Sequence, residues 1–310
     1  MRRWNINMIC CCWMARINYA MSNKTPIFQE PSMTKIVADT TSGLPLEMAA
    51  QLGIPMIPQI VIFGEQSFRD DTELTTAEFL KKLRGSATLP KTAAPPPPLY
   101  NPIFEKAAQT GETVIVVAPS GKVSGTVRSA ETAMQDFPKA DIRVVDTQTI
   151  AGCLGTLVLV AQDLALVGKP ADEIVRQLNE LIPRMRTFFV LDTLEYLQKG
   201  GRIGGAKALL GELLQVKPIL QIKDGQVAQF EQARTKKKAT GRLIELVCEQ
   251  ARGSANPHLC VMHIDAEDEA KAVSAELTSR LGIKNIPLYV LPPAIVVHAG
   301  PKVLAVGFFA

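Results

Sequence analysis

A hydroxyl, a guanidinium and an imidazole are the groups in this 310-residue chain best suited to hold an anion. Ser124, Gly125 and Thr126 stand where an apolar run gives way to a polar turn and a helix is expected to begin. Unpaired backbone N–H groups and the positive end of the helix dipole attract an anion at such a start, and a hydroxyl there can donate to it. Serine at this place also serves simply as an N-cap, and the two uses are compatible. Arg202 lies inside the glycine-rich stretch 200–207. That stretch is no Walker loop, because Ala206 precedes Lys207 and Ala208 follows it, and Arg202 occupies the second glycine of the dinucleotide pattern. What remains is a flexible turn with one cation whose planar donors suit a carboxylate or phosphate; an exposed surface arginine is the competing reading. His298 falls between an expected apolar strand and a turn, where it either joins a site or merely fixes a loop. Ser124 and His298 could also serve as nucleophile and base on an ester, although Ser124 is not in a Gly-x-Ser-x-Gly elbow.

Elements able to place these groups follow from the hydrophobic pattern. Lys35–Asp39, Thr113–Ala118 and Ile142–Asp146 read as strands, each running into a polar turn. Helices alternate with them: Thr75 to Glu78 form a capping box opening one that ends near Leu83, another runs from 101 to 109, a third from Ser124 or Gly125 to Gln135, and a long apolar one from 151 to 167. Such alternation indicates βαβ units and a mostly parallel sheet, with ligands expected at the carboxyl ends of its strands. The five prolines of Pro90–Pro98 predict a stiff loop without ladder hydrogen bonds. Beyond residue 170 extended segments recur at 187–191, 219–222, 226–230, 259–264 and 288–291, with helices at 171–185, 235–252 and 267–281. The hairpin signal at 222–226 points to a second α/β domain with a mixed sheet.

Apolar residues make up 47% and charged residues 21% of the chain, which predicts folded domains with a sizeable core. A net charge of +4 gives little reason to expect nucleic acid. Only three histidines are present, so no metal cluster is expected. Neither an ATP loop nor a magnesium-binding carboxylate cluster is recognisable. Cys153, Cys248 and Cys260, in apolar surroundings, suggest a reducing compartment. Residues 1–32, with the Cys10–Cys12 triplet and an apolar run from Met8 to Ala15, read as a disordered extension or a start assigned upstream of Met33, with a weak signal-like segment or a lipid-modified leader as the sharper readings. The basic segment Arg234–Lys238 is either a solvated face or a docking patch for an acidic partner.

Taken together, the segments from Met33 onward resemble the DegV family, which includes the fatty-acid-binding subunits of bacterial fatty acid kinases. The most specific stretch is 192–220, supported by Asp39–Ser42, Lys91-Thr92, Ser124–Thr126, Asp146-Thr147, Arg234–Lys238 and His298–Pro301. The resemblance implies an α/β fold of two α/β domains: an N-terminal three-layer one around a mostly parallel sheet (33–169) and a C-terminal one with a mixed sheet (170–310), with a lipid cleft between them. It also implies a cytoplasmic carrier without a cofactor, rather than an enzyme. Its long-chain fatty acid would be presented to a separate ATP-dependent kinase, and the acyl phosphate passed to an acyltransferase system or a membrane surface. Another anionic amphiphile is the alternative cargo. Thr92 and Ser124 would donate hydroxyls to the carboxylate, with Gly125 and Thr126 beside them and His298 and Arg202 as supporting groups. The sequence departs from the family at Ala93, Ala94 and Pro96, where Ser, Gln and Ser are usual, and at Lys302, where glycine is common.

Overall fold

The computed structural model describes residues 34–211, 216–252, 254 and 257–310. The Cys10–Cys12 triplet and the signal-like segment therefore lie outside the described residues. The first sheet is wholly parallel, in the order β2 (Met56–Ile57), β1 (Thr34–Asp39), β6 (Thr113–Ala118), β7 (Ile142–Asp146). Helices α3 (Asn101–Thr110) and α4 (Thr126–Met134) cover one face, where Tyr100, Phe104, Ala130 and Ala133 pack against Val114 and Val116. On the other face lie α5 (Gly152–Leu166) and α6 (Ala171–Leu181), giving the expected three layers.

Between β2 and α3 the chain builds a small antiparallel sheet in the order β4 (Gln66–Arg69), β3 (Ile60–Phe63), β5 (Lys91–Ala93). Helices α1 (Leu46–Gln51) and α2 (Thr76–Gly85) flank this region, and α2 opens on the Thr75–Glu78 capping box read from the sequence. The proline-rich stretch is thus not all loop. Lys91, Thr92 and Ala93 fall between Pro90 and Pro95, keep their N–H groups and pair with Ile62, Val61 and Ile60; Pro97–Tyr100 then forms a 3-10 turn.

A second, six-stranded sheet is mixed, in the order β10 (Gln226–Ala233), β9 (Lys217–Lys223), β8 (Met185–Val190), β13 (Val303–Phe309), β11 (Cys260–Ile264), β12 (Leu288–Val290). Only β11 and β12 run parallel. The β9–β10 hairpin turns at Asp224 and Gly225, both with positive φ (50° and 79°), as a two-residue primed turn requires. Helices α8 (Lys236–Ala251) and α9 (Glu267–Leu281) cover the outer face. The inner face meets α5, which contacts β1 and β6 on one side and β8, β11 and β13 on the other. Such a helix is apolar all round, and 12 of its 15 residues are buried.

Two assignments near the C-terminus change. Central strand β13 escapes the sequence reading because all seven of its residues are buried, so its apolar run lacks the alternation of a half-exposed strand. The run before it, expected as a strand, is helix α10 (Pro293–Ala299). Pro293 at its first position and Gly300 at its end (φ 77°) set a helix that outweighs the strand preference of Ile295, Val296 and Val297.

Candidate functional site

Between the loops at the carboxyl ends of the parallel strands and the inner face of the mixed sheet lies a cavity of about 950 Å³, its open mouth included. Thr92, Ser124, Gly125, Arg202 and His298 all line it. Each comes from a different structural device. β5 pairs Thr92 opposite Val61. His298 projects from α10, and its Nδ1 lies against Gly200, where a Cβ would collide with it. Ser124 and Gly125 precede α4, where Gly125 is the N-cap without a side-chain bond. Ser124 is therefore not the cap; its Oγ accepts the Thr126 N–H at 3.3 Å. Arg202 closes the turn after α7 (Glu195–Lys199), donating from Nη1 to the Gly200 carbonyl at 2.8 Å and from Nε to the Val123 carbonyl at 3.2 Å.

Thr92 Oγ1 and His298 Nε2 are 2.7 Å apart. Burial, reinforced by the positive charge of Arg202, pushes His298 down to about 4, so the ring is neutral at pH 7. Its buried Nδ1 has no hydrogen-bond partner. An orphaned N–H costs more there than an orphaned lone pair, so the network assigns the proton to Nε2. His298 then donates to Thr92, leaving the Thr92 hydroxyl hydrogen for a ligand. The Ser124–His298 nucleophile–base pair does not form: His298 bonds to Thr92, and Ser124 Oγ bonds to Thr126 Oγ1 at 2.9 Å.

Thr126 does not line the cavity. It stands behind Ser124 and donates to Asp39 Oδ2 at 3.0 Å. Gln59 Nε2 donates both to Asp39 and to Thr126 Oγ1, and the Thr41 hydroxyl and N–H complete the shell of Asp39. A second buried acid, Asp70, accepts from the Thr40 hydroxyl and from the Gln59 N–H at 2.8 Å each. Burial raises Asp39 to about 6 against these bonds; it raises Asp70 to about 7, and the charge of Asp39 adds to that rise. Sequence reasoning missed Gln59 and Asp70. Gln59 left one signal, a polar residue inside the apolar run 54–63, where a 3% exposed amide must have partners.

Strand register orders the rest of the lining. Along β13, Val303 and Ala305 line the cavity, Ala305 paired beside Phe189 and Met262, and Gly307 beyond them pairs beside the lining residue Thr187. Val303 to Gly307 spans about 13 Å of strand. At its end the Thr187 hydroxyl donates to Cys153 Sγ at 3.0 Å, and Met262 Sδ accepts the Gly152 N–H at 3.0 Å. Gly307 leaves room for both Cys153 and Cys260.

A family model described as "Uncharacterised protein, DegV family" matches residues 33–310. The chain belongs to the DegV family. A DegV domain-containing protein of Halalkalibacterium halodurans is 33% identical over 282 residues, covering 89% of this chain and 99% of the relative. The DegV fold is shared with a fatty-acid-binding DegV protein of Thermus thermophilus, at a TM-score of 0.84 and 33% identity over 89% of this chain and 99% of that one. DegV of Bacillus subtilis, also a fatty acid binding protein, superposes with a TM-score of 0.80 at 31% identity, again over 89% of this chain and 99% of its own.

Proposed function

We propose that this DegV protein holds one long-chain fatty acid, carboxylate against Thr92 and Ser124 and tail along β13 towards Thr187. One observation carries the reading: the lining is mostly apolar, while Thr92 bonds to His298 and Arg202 donates to the Val123 carbonyl beside Ser124. The tail supplies affinity, since each buried CH₂ contributes about 0.8 kcal/mol. Hydroxyl and guanidinium donors make burial of the carboxylate tolerable and fix its direction. Gly125 lines the cavity beside Ser124, where its lack of a Cβ accommodates Ala94, and Thr126 supports Ser124 from behind.

The wider role rests on the resemblance. In this proposal a separate ATP-dependent kinase phosphorylates the presented carboxylate, and the acyl phosphate is delivered to an acyltransferase system or membrane surface in the cytoplasm. Exposed Arg234, Lys237 and Lys238 at the start of α8 suit an acidic face on such a partner. Three buried free thiols, Cys153, Cys248 and Cys260, fit a reducing compartment. No helix among the described residues is long and apolar enough to cross a membrane.

Titrating delipidated protein with oleate, methyl oleate and oleyl alcohol tests the carrier reading. Saturable one-to-one binding of oleate, with the ester and alcohol at least tenfold weaker, is expected. Equal binding of all three would remove the head-group site.

A further inference from the structure

Ser124 has a single proton to donate, and the bonds behind it decide where that proton points. When Asp39 is a carboxylate, the Thr126 hydroxyl spends its only hydrogen on Asp39 Oδ2, 3.0 Å away. Thr126 Oγ1 then acts purely as an acceptor, from Gln59 Nε2 at 2.9 Å and from Ser124 Oγ at 2.9 Å. Ser124 Oγ, which also accepts the Thr126 N–H, is thereby left with only a lone pair for the cavity, and a bound carboxylate would meet negative charge there. A proton on Asp39 Oδ2 reverses every hydroxyl in the chain: Asp39 donates to Thr126, Thr126 to Ser124, and Ser124 to the ligand. No heavy atom has to move, and the Gln59 and Thr41 bonds to Asp39 survive.

We propose that Asp39 is the positioning residue of the head-group site, and that binding of a carboxylate ligand takes up one proton from solvent onto Asp39, turning the Ser124 hydroxyl towards the ligand. The inference rests on the fatty-acid reading and specifies its electrostatics. Overall, a carboxylate and one solvent proton enter the site; no covalent bond of the ligand forms or breaks.

The surroundings of Asp39 favour that uptake. Asp39 is 1% exposed and, among the described residues, makes no ion pair. The titratable groups facing it are Asp70, on the segment after β4, and Tyr100, on the 3-10 turn before α3. Both are acids. The remaining contacts, Thr41 beside β1, Gln59 between β2 and β3, and Thr126 on α4, are neutral. Arg202, the cation of the site, acts on His298. Adding a ligand carboxylate to two buried aspartates makes three negative groups in one region, so the free energy of binding favours the protonated form.

Calorimetric titration of oleate into delipidated protein, in buffers of different ionisation enthalpy between pH 6.5 and 8.5, counts the protons. Carboxyl-¹³C oleate reports the ligand's own ionisation. Wild type is expected to take up close to one proton at pH 8 and to lose affinity by nearly tenfold per pH unit, with the label resonating as a carboxylate. Asp39→Asn places an N–H donor towards Thr126, while the Gln59 amide can turn to accept from it. This variant is expected to bind with no proton uptake and a flat pH profile. Wild-type binding without uptake, uptake persisting in Asp39→Asn, or a label resonating as the acid would each overturn the proposal while leaving the carrier reading intact. No binding of oleate by wild type at any pH would remove both.

Discussion

Thr92 Oγ1 lies 2.7 Å from His298 Nε2, a bond between side chains 206 positions apart. It ties β5, on the margin of the parallel-sheet half, to α10, which leads into the centre of the mixed sheet. The head-group end of the cavity therefore exists only when both halves are in place.

Thr92→Val keeps the shape of that side chain but removes its donor and leaves the His298 N–H without an acceptor. Leaving a buried polar group unpaired costs about 1–3 kcal/mol, so oleate affinity is expected to fall by roughly 5- to 150-fold. A displacement titration measures it. The distribution of bound tail lengths should not change.

Gly200→Ala would drive a Cβ into His298 Nδ1. The ring must tilt, and the Thr92 bond with it. We expect weaker oleate binding from this variant with α7 still folded, whereas Gly201→Ala, which meets no atom but sits at φ 71°, should lower stability more than affinity. Paired thermal melts and binding titrations separate the two.

Ala305→Leu fills the middle of the tail path, facing Phe189 and Met262. Fatty acids extracted from this variant are expected to be shorter than those from wild type by about two to four carbons, each lost CH₂ costing about 0.8 kcal/mol of contact. An unchanged chain-length profile would place the tail elsewhere.

Asp39 and Asp70 make stability depend on pH. Both carboxyls titrate in the folded protein above their ordinary value of 3.8, at about 6 and about 7, chiefly because they are buried. Their contribution is therefore fully present below the unfolded value and is lost as pH rises through the folded ones. His298 and His258, both pushed down by burial to about 4, act in the opposite sense and lose stability as pH falls. The clean readout is the difference between wild type and Asp70→Asn. By denaturant unfolding the variant should gain on the order of 1–3 kcal/mol relative to wild type on going from pH 5 to pH 8.

Much of this arrangement is legible in the sequence, and the parts that are not share a physical reason. Parallel strands β1, β6 and β7 announce themselves by short apolar runs ending in polar turns, and Thr75 to Glu78 form the capping box they spell. The convergence of Thr92, Ser124, Arg202 and His298 follows from the family resemblance, since nothing local ties residues so far apart. Helix α10 and strand β13 mislead because both are largely buried apolar runs, and only Pro293 and Gly300 mark the division. Lys302 illustrates the converse. Its φ of 58° is a left-handed conformation, which explains why glycine is common there and why lysine carries local strain. The Asp39–Thr126–Ser124 chain was hidden because its members come from β1, α4 and the loop before it, and hydrogen-bond direction is not a property of any one residue.

Extracting the protein, purified without added lipid, with organic solvent and identifying what it carries by mass spectrometry tests the fatty-acid site itself. Wild type is expected to carry close to one long-chain fatty acid per chain, and Thr92→Val markedly less. Wild type that carries none, and takes none up from a panel of added fatty acids, would contradict it.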